Sequence, residues 1–128
     1  MIGETGANVN KIIVLGDKEF ITDISDELFN RLDVRATKGD IDNPCDPHLL
    51  LRHIRKCEII IISLEYFTSM TMAGASMARA LDKLVVGIAT RDFFNPDTNK
   101  NPAENLLMNL CDFGCVHEDV VSEVNKYL

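Results

Sequence analysis

Glu65 directly follows the apolar run Glu58 to Leu64 (EIIIISL), where a strand would deliver it to the rim of a sheet. A carboxylate at such a place can serve as general acid, general base or nucleophile, and it can equally be an ordinary loop residue. Gly16-Asp17 and Arg91-Asp92 follow two further apolar runs, Lys11 to Leu15 and Leu84 to Thr90. Arg91 either pairs locally with Asp92 or faces an anion. Thr68 and Ser69 precede a helical pattern. They either cap that helix or, with its first N–H groups, hold a phosphate.

The remaining reactive residue types point to no site. Cys111-x3-Cys115-x-His117 fits no standard zinc module, so it reads as two half-buried thiols, and no metal site is expected. Cys57 precedes the strongest apolar run as a small core residue. Cys45 sits in the loop Asn43-Pro44-Cys45 with nothing beside it to make it a nucleophile. His48 and His53 are five residues apart and do not share a helix face, so both read as surface residues. No G-x-G-x-x-G, G-x-x-x-x-G-K-[ST] or G-x-S-x-G occurs, and no cofactor is expected.

The elements that must position these residues alternate. Residues 1–10 carry two glycines, two asparagines and no periodicity, and read as a flexible lead-in to one domain over residues 11–128. Lys11 to Leu15 is a buried strand. Ile21, Ile24, Leu28 and Leu32 then make one apolar stripe on a helix over Phe20 to Leu32. Asp33 to Thr37 is a weak second strand and Lys38 to Asp46 a loop. Asp46-Pro47 starts a helix that runs to about Lys56. Glu58 to Leu64 is apolar on both faces, as a central parallel strand must be. Met70, Ala73, Met77 and Leu81 give the next helix its apolar face, among many small residues that let a backbone approach closely. Leu84 to Thr90 is a fourth strand. Asn101-Pro102-x-Glu104 starts a helix that turns Leu106, Leu107 and Leu110 inward. Gly114 to Val116 is an edge strand, and Glu118 to Leu128 a last helix with Val120, Val121, Val124 and Leu128 inward. This alternation predicts an α/β domain: a doubly wound, five-stranded parallel sheet with helices on both faces. Ligands of such sheets bind beyond the carboxyl ends of the strands.

Size and charge narrow the function. A chain of 128 residues suits one domain. The net charge of −7 argues against a nucleic-acid polymer or an anionic membrane as partner. It leaves room for a small anion held by a few N–H groups or one Arg. No uninterrupted apolar stretch is longer than Ile59 to Ile62, which is far short of the roughly 20 residues of a membrane span. Four cysteines in a chain large enough to build a core predict free thiols in a reducing cytoplasm.

The segment Arg55 to Arg91 resembles the nucleoside 2-deoxyribosyltransferase family, which includes deoxynucleoside 5′-monophosphate N-glycosidases. The family's pattern is an acid opening an apolar strand, a loop, a Gly/Ser-rich turn, a helix of the type E-x-G-x-A-x-A, then Lys and a second apolar strand. Glu58, Ala78, Ala80, Lys83 and Val85 to Thr90 fall on it. Ile12 to Gly16, Asn105 to Met108 and Gly114 to Asp119 resemble its other segments. The resemblance implies a flavodoxin-like fold, a nucleoside or nucleotide ligand and a homo-oligomer. It also implies a role for Glu58, where the family usually has Asp. The family's catalytic Glu, however, corresponds here to Gly74, which has no side chain to attack or stabilise an anomeric centre.

The chain is therefore expected to be a catalytically silent, deoxyribosyltransferase-like domain that binds a nucleoside, nucleotide or related small molecule. Gly16, Asp17, Glu58, Thr68, Ser69 and Arg91 are its ligand-binding candidates. Two alternatives stand beside this expectation. One is an active N-glycosidase or deoxyribosyltransferase that uses Glu65 as a displaced acid. The other is a structural or protein-interaction module.

Overall fold

In a computed structural model of the chain, which describes residues 11–39 and 46–128, the isoleucine-rich run forms the central strand. This strand, β3 (Ile59–Ser63), is buried throughout and lies between β1 (Ile12–Leu15) and β4 (Leu84–Ala89). The outer strands are β2 (Thr37–Lys38), beside β1, and β5 (Phe113–Val116), beside β4. All pairings are parallel and the order is β2-β1-β3-β4-β5. The helices are α1 (Lys18–Leu32), α2 (Pro47–Lys56), α3 (Ser69–Ala80), α4 (Pro102–Leu110) and α5 (Val120–Asn125). This is the expected α/β, doubly wound parallel sheet of the flavodoxin-like type.

Alternation along each strand divides the core in two. Ile13, Leu15, Ile60, Ile62 and Val85 point toward α2, α3 and α4. Ile12, Val14, Ile59, Ile61, Val86 and Ile88 point toward α1 and α5. Local signals set the helix starts. Asp46 accepts from the backbone N–H of His48 and of Leu49, with Pro47 at the first helical position. Asn101 and Glu104 close a reciprocal capping box at the head of α4. Among the described residues no helix is long and apolar enough to cross a membrane.

Four expectations need correction. Asp33 to Thr37 is not a strand, because Asp33 takes a left-handed conformation (φ 55°) and closes α1 with its N–H on Leu28 and Phe29. Only Thr37 and Lys38 reach the sheet. The apolar face of α3 is rotated from Met70/Ala73/Met77/Leu81: its buried residues are Met70, Thr71, Gly74, Ala75 and Ala78, and Leu81 is exposed. The small residues bring α3 close to the sheet and leave Met72 and Met77 at the flanks. In α4 only Leu107 is fully buried, with Leu110 beside it; Leu106, about 100° further round the helix, faces solvent. The last helix begins with a 3-10 turn, His117–Asp119, and ends at Asn125, so Leu128 lies beyond it and is exposed. The expected lead-in (residues 1–10) and Cys45 lie outside the described residues.

Candidate functional site

In this strand order the chain leaves β1 toward β2 on one side and leaves β3 toward β4 on the other. The loops after β1 and β3 therefore part, opening a crevice at the carboxyl edge. Two backbone devices shape it. The Asp17 N–H donates to the Tyr66 carbonyl (2.8 Å), tying the loops together, while the Asp17 carboxylate accepts from Phe20 N–H (2.9 Å) and caps α1. Gly16 allows the close approach, since a Cβ there would come within 2.6 Å of the Phe20 ring and 3.1 Å of Ser63 Cβ. Ser63 Oγ accepts from Tyr66 N–H (2.8 Å), which turns the chain outward and leaves Tyr66 58% exposed.

Glu65 reaches across to the end of β4. Its carboxylate accepts from Thr90 N–H (2.7 Å) and from the Thr90 hydroxyl (3.0 Å). Around it lies a cleft in two lobes that share Phe20, Tyr66 and His117. The larger lobe, about 320 Å³, is walled by Asp17, Glu19 and Asp23 from the start of α1. The smaller, about 170 Å³, is walled by Ser63, Glu65, Thr90, Arg91 and Glu118. His117 is held by Glu27 of α1 (Nε2 to Oε1, 2.9 Å). Arg91 faces Glu118 at 3.6 Å, both well exposed, rather than Asp92. Carboxylates thus outnumber the single guanidinium along the cleft.

Asp17, Glu65 and Arg91 are brought together here, with Gly16 beneath them. The other candidates lie elsewhere. Thr68 is spent on capping: it and Thr71 exchange backbone and hydroxyl hydrogen bonds at the start of α3. Thr68 and Ser69 line an adjoining open hollow with Phe67, Met72, Ala73 and Ser76. Glu58 precedes β3 at the opposite, amino edge of the sheet, where its carboxylate meets Lys11 at 3.6 Å. Five strand residues, about 16 Å, separate it from the cleft. Gly74 is buried on the sheet side of α3, where a Cβ would come within 2.3 Å of Leu15 Cδ1. That position does not open into the cleft.

No described cysteine is poised as a nucleophile. Burial pushes the Cys57 thiol up to about 11 despite the nearby Lys83. Burial, reinforced by Asp112, pushes Cys111 up to about 12. Burial with Glu123 and Asp119 pushes Cys115 up to about 11. Cys111 and Cys115 are free thiols, and among the described residues no group of His, Cys, Asp or Glu is arranged to hold a metal ion. Phe20, Glu19, Asp23 and His117 were not foreseen as cleft residues, and Tyr66 was not among the named candidates. Tyr66 carried a signal, since it stands next to Glu65 at a strand's carboxyl end. His117 carried one too, directly after the last strand. Compared with known proteins, the chain matches no protein-family model and no curated protein.

Proposed function

We propose that the chain is a small-molecule-binding domain for a nucleoside-class ligand, on a deoxyribosyltransferase-like scaffold that does not perform the family's glycosidic chemistry. The carrying observation is Gly74. It lacks the carboxylate, and its α carbon faces Leu15 in the core, so no side chain there could reach the cleft. The cleft's lining supports a ligand of this class. The rings of Tyr66 and Phe20 offer faces for a base, and Asp17 and Asp23 offer acceptors for sugar hydroxyls. The surplus of carboxylates over Arg91 favours an uncharged nucleoside over its 5′-monophosphate. Glu65 has both oxygens engaged by Thr90, so swinging it to attack a sugar would break two hydrogen bonds.

The test is a panel of deoxynucleosides and their 5′-monophosphates, read by thermal shift and by chromatography for free base. Binding at about 100 times the dissociation constant adds about 2.7 kcal/mol of stability. The expected result is stabilisation by nucleosides, less by monophosphates, and no base release. Base release that disappears in Glu65→Gln would overturn this reading in favour of the displaced-acid enzyme. Silence across the panel would leave the interaction module.

A further inference from the structure

Opposite charges are concentrated on two helices that lie on opposite faces of the sheet. Along α2, His48, Arg52 and Arg55 are exposed at positions i, i+4 and i+7, with Lys56 alongside, and they line a shallow groove of about 390 Å³ whose floor includes Leu51. Arg52, Arg55 and Lys56 have no ion-pair partner among the described residues, although the chain as a whole carries −7. Along α1, Glu19, Asp23 and Asp26 are exposed at the same i, i+4, i+7 spacing, and they too lack ion-pair partners among the described residues. Each stripe rises about 10 Å along its helix.

We infer that the basic face of α2 docks on the acidic face of α1 of a second copy of this chain. Charge complementarity with matched spacing points to that occupant: Arg52 and Arg55 stand three residues apart on one stripe, as Asp23 and Asp26 do on the other. The two faces lie on opposite sides of the sheet, so the contact is heterologous. Each copy keeps one free face of each sign, and association continues beyond a dimer as a chain or a ring. Glu19 and Asp23 also wall the larger lobe of the cleft, so an arriving α2 covers that wall. The inference does not depend on which ligand, if any, the cleft takes.

Sedimentation velocity over a range of protein concentrations tests it. At about 0.01 M salt, where the Debye length is about 30 Å, the mass should grow with concentration past that of a dimer. At about 1 M, where it is about 3 Å, the monomer should return. The double variant Arg52→Glu/Arg55→Glu should be monomeric at low salt, as should Asp23→Arg/Asp26→Arg. Their equimolar mixture should associate again, because each then meets a complementary face. Both variants stay net negative, since either pair of reversals moves the charge of −7 by four units, so general attraction would not explain recovery. Circular dichroism establishes that each variant is folded; if a double variant is not, the single reversals Arg52→Glu and Asp26→Arg replace it. A wild-type monomer at low salt overturns the inference. So does association that the reversals leave unchanged, or a mixture that stays monomeric. Monomers that bind single-stranded RNA through Arg52 and Arg55 overturn it in favour of an anionic polymer as the occupant of α2.

Discussion

Two carboxylates grip β4 from opposite ends, and they do so in almost the same way. At the amino edge Asp112 accepts from Val85 N–H (2.8 Å) and from Arg79 (2.7 Å). At the carboxyl edge Glu65 accepts from Thr90 N–H (2.7 Å) and from its hydroxyl (3.0 Å). Each takes one backbone donor and one side-chain donor, and each joins β4 to a neighbouring loop. The difference is charge. Asp112 has a guanidinium against it, and it lines neither lobe of the cleft. Glu65 has a neutral hydroxyl, no cation pairs with it among the described residues, and it borders a hollow. A neutralised carboxylate ends as structure. One with no cation against it is left facing the open cleft.

The sharpest way to probe this contrast is to place a third acid in the core, on α3. Gly74→Glu would introduce the acid that the deoxyribosyltransferase pattern carries, but in the core against Leu15 and Ile54. Overpacking and a buried, unpaired carboxylate should together cost about 4 kcal/mol or more, read as a lower urea midpoint or loss of folding. A folded Gly74→Glu protein that gains base release would break the comparison, because the cleft would then have to reach α3.

Next in size is Asp112→Asn, expected to lose about 2 kcal/mol by weakening two charge-assisted hydrogen bonds, with ligand affinity unchanged. Its pH signature has a definite sign. Burial works to raise the Asp112 carboxyl, but the Val85 N–H and Arg79 outweigh it and hold it below the ordinary 3.8. The folded state thus binds this proton less readily than the unfolded state. The stabilisation is complete above that ordinary value and is lost as pH falls through the lower folded one. Asp112→Asn should flatten that acid limb in urea titrations. The thiols give the opposite limb: held up to about 11 and 12, they should lower stability as pH rises above the ordinary thiol value of 9.0.

Glu65→Gln should cost only about 1 kcal/mol, since the amide can still accept from Thr90 N–H. Nucleoside affinity, measured by calorimetry, should fall by more than that. Equal losses would reduce Glu65 to a second Asp112. The smallest effect belongs to Ser25, which lacks what both carboxylates have. Its hydroxyl is buried and finds no hydrogen-bond partner among the described residues, so Ser25→Ala should be neutral or stabilising by up to about 1 kcal/mol in thermal unfolding.

The sequence announced features that are local. Asp46-Pro47 and Asn101-Pro102-x-Glu104 carry their own caps, and the four isoleucines of β3 can only be a central strand. It hid those that depend on distant neighbours. The face of α3 was misread because hydropathy favours methionines, whereas close packing on the sheet selected Gly74, Ala75 and Ala78. Edge strand β2 has two residues and leaves almost no pattern. The site was legible as a place, through the strand ends, but not as a set. The pairing of Glu65 with Thr90 spans 25 residues, and that of His117 with Glu27 spans 90. Glu58 and Glu65, both beside one strand, emerged at its opposite ends.

The burial of β3 has a consequence for how the chain must be made. Ile59 to Ile62 pairs with β1 on one flank and β4 on the other, so it is sheltered only after Leu84 to Ala89 has been synthesised and docked. Until then four consecutive β-branched residues without charge present the edge meant for β4 to any neighbouring chain, and their composition is that of a cross-β segment. The strand that organises the finished sheet is thus the chief hazard of the unfinished one. Refolding yield should depend steeply on protein concentration.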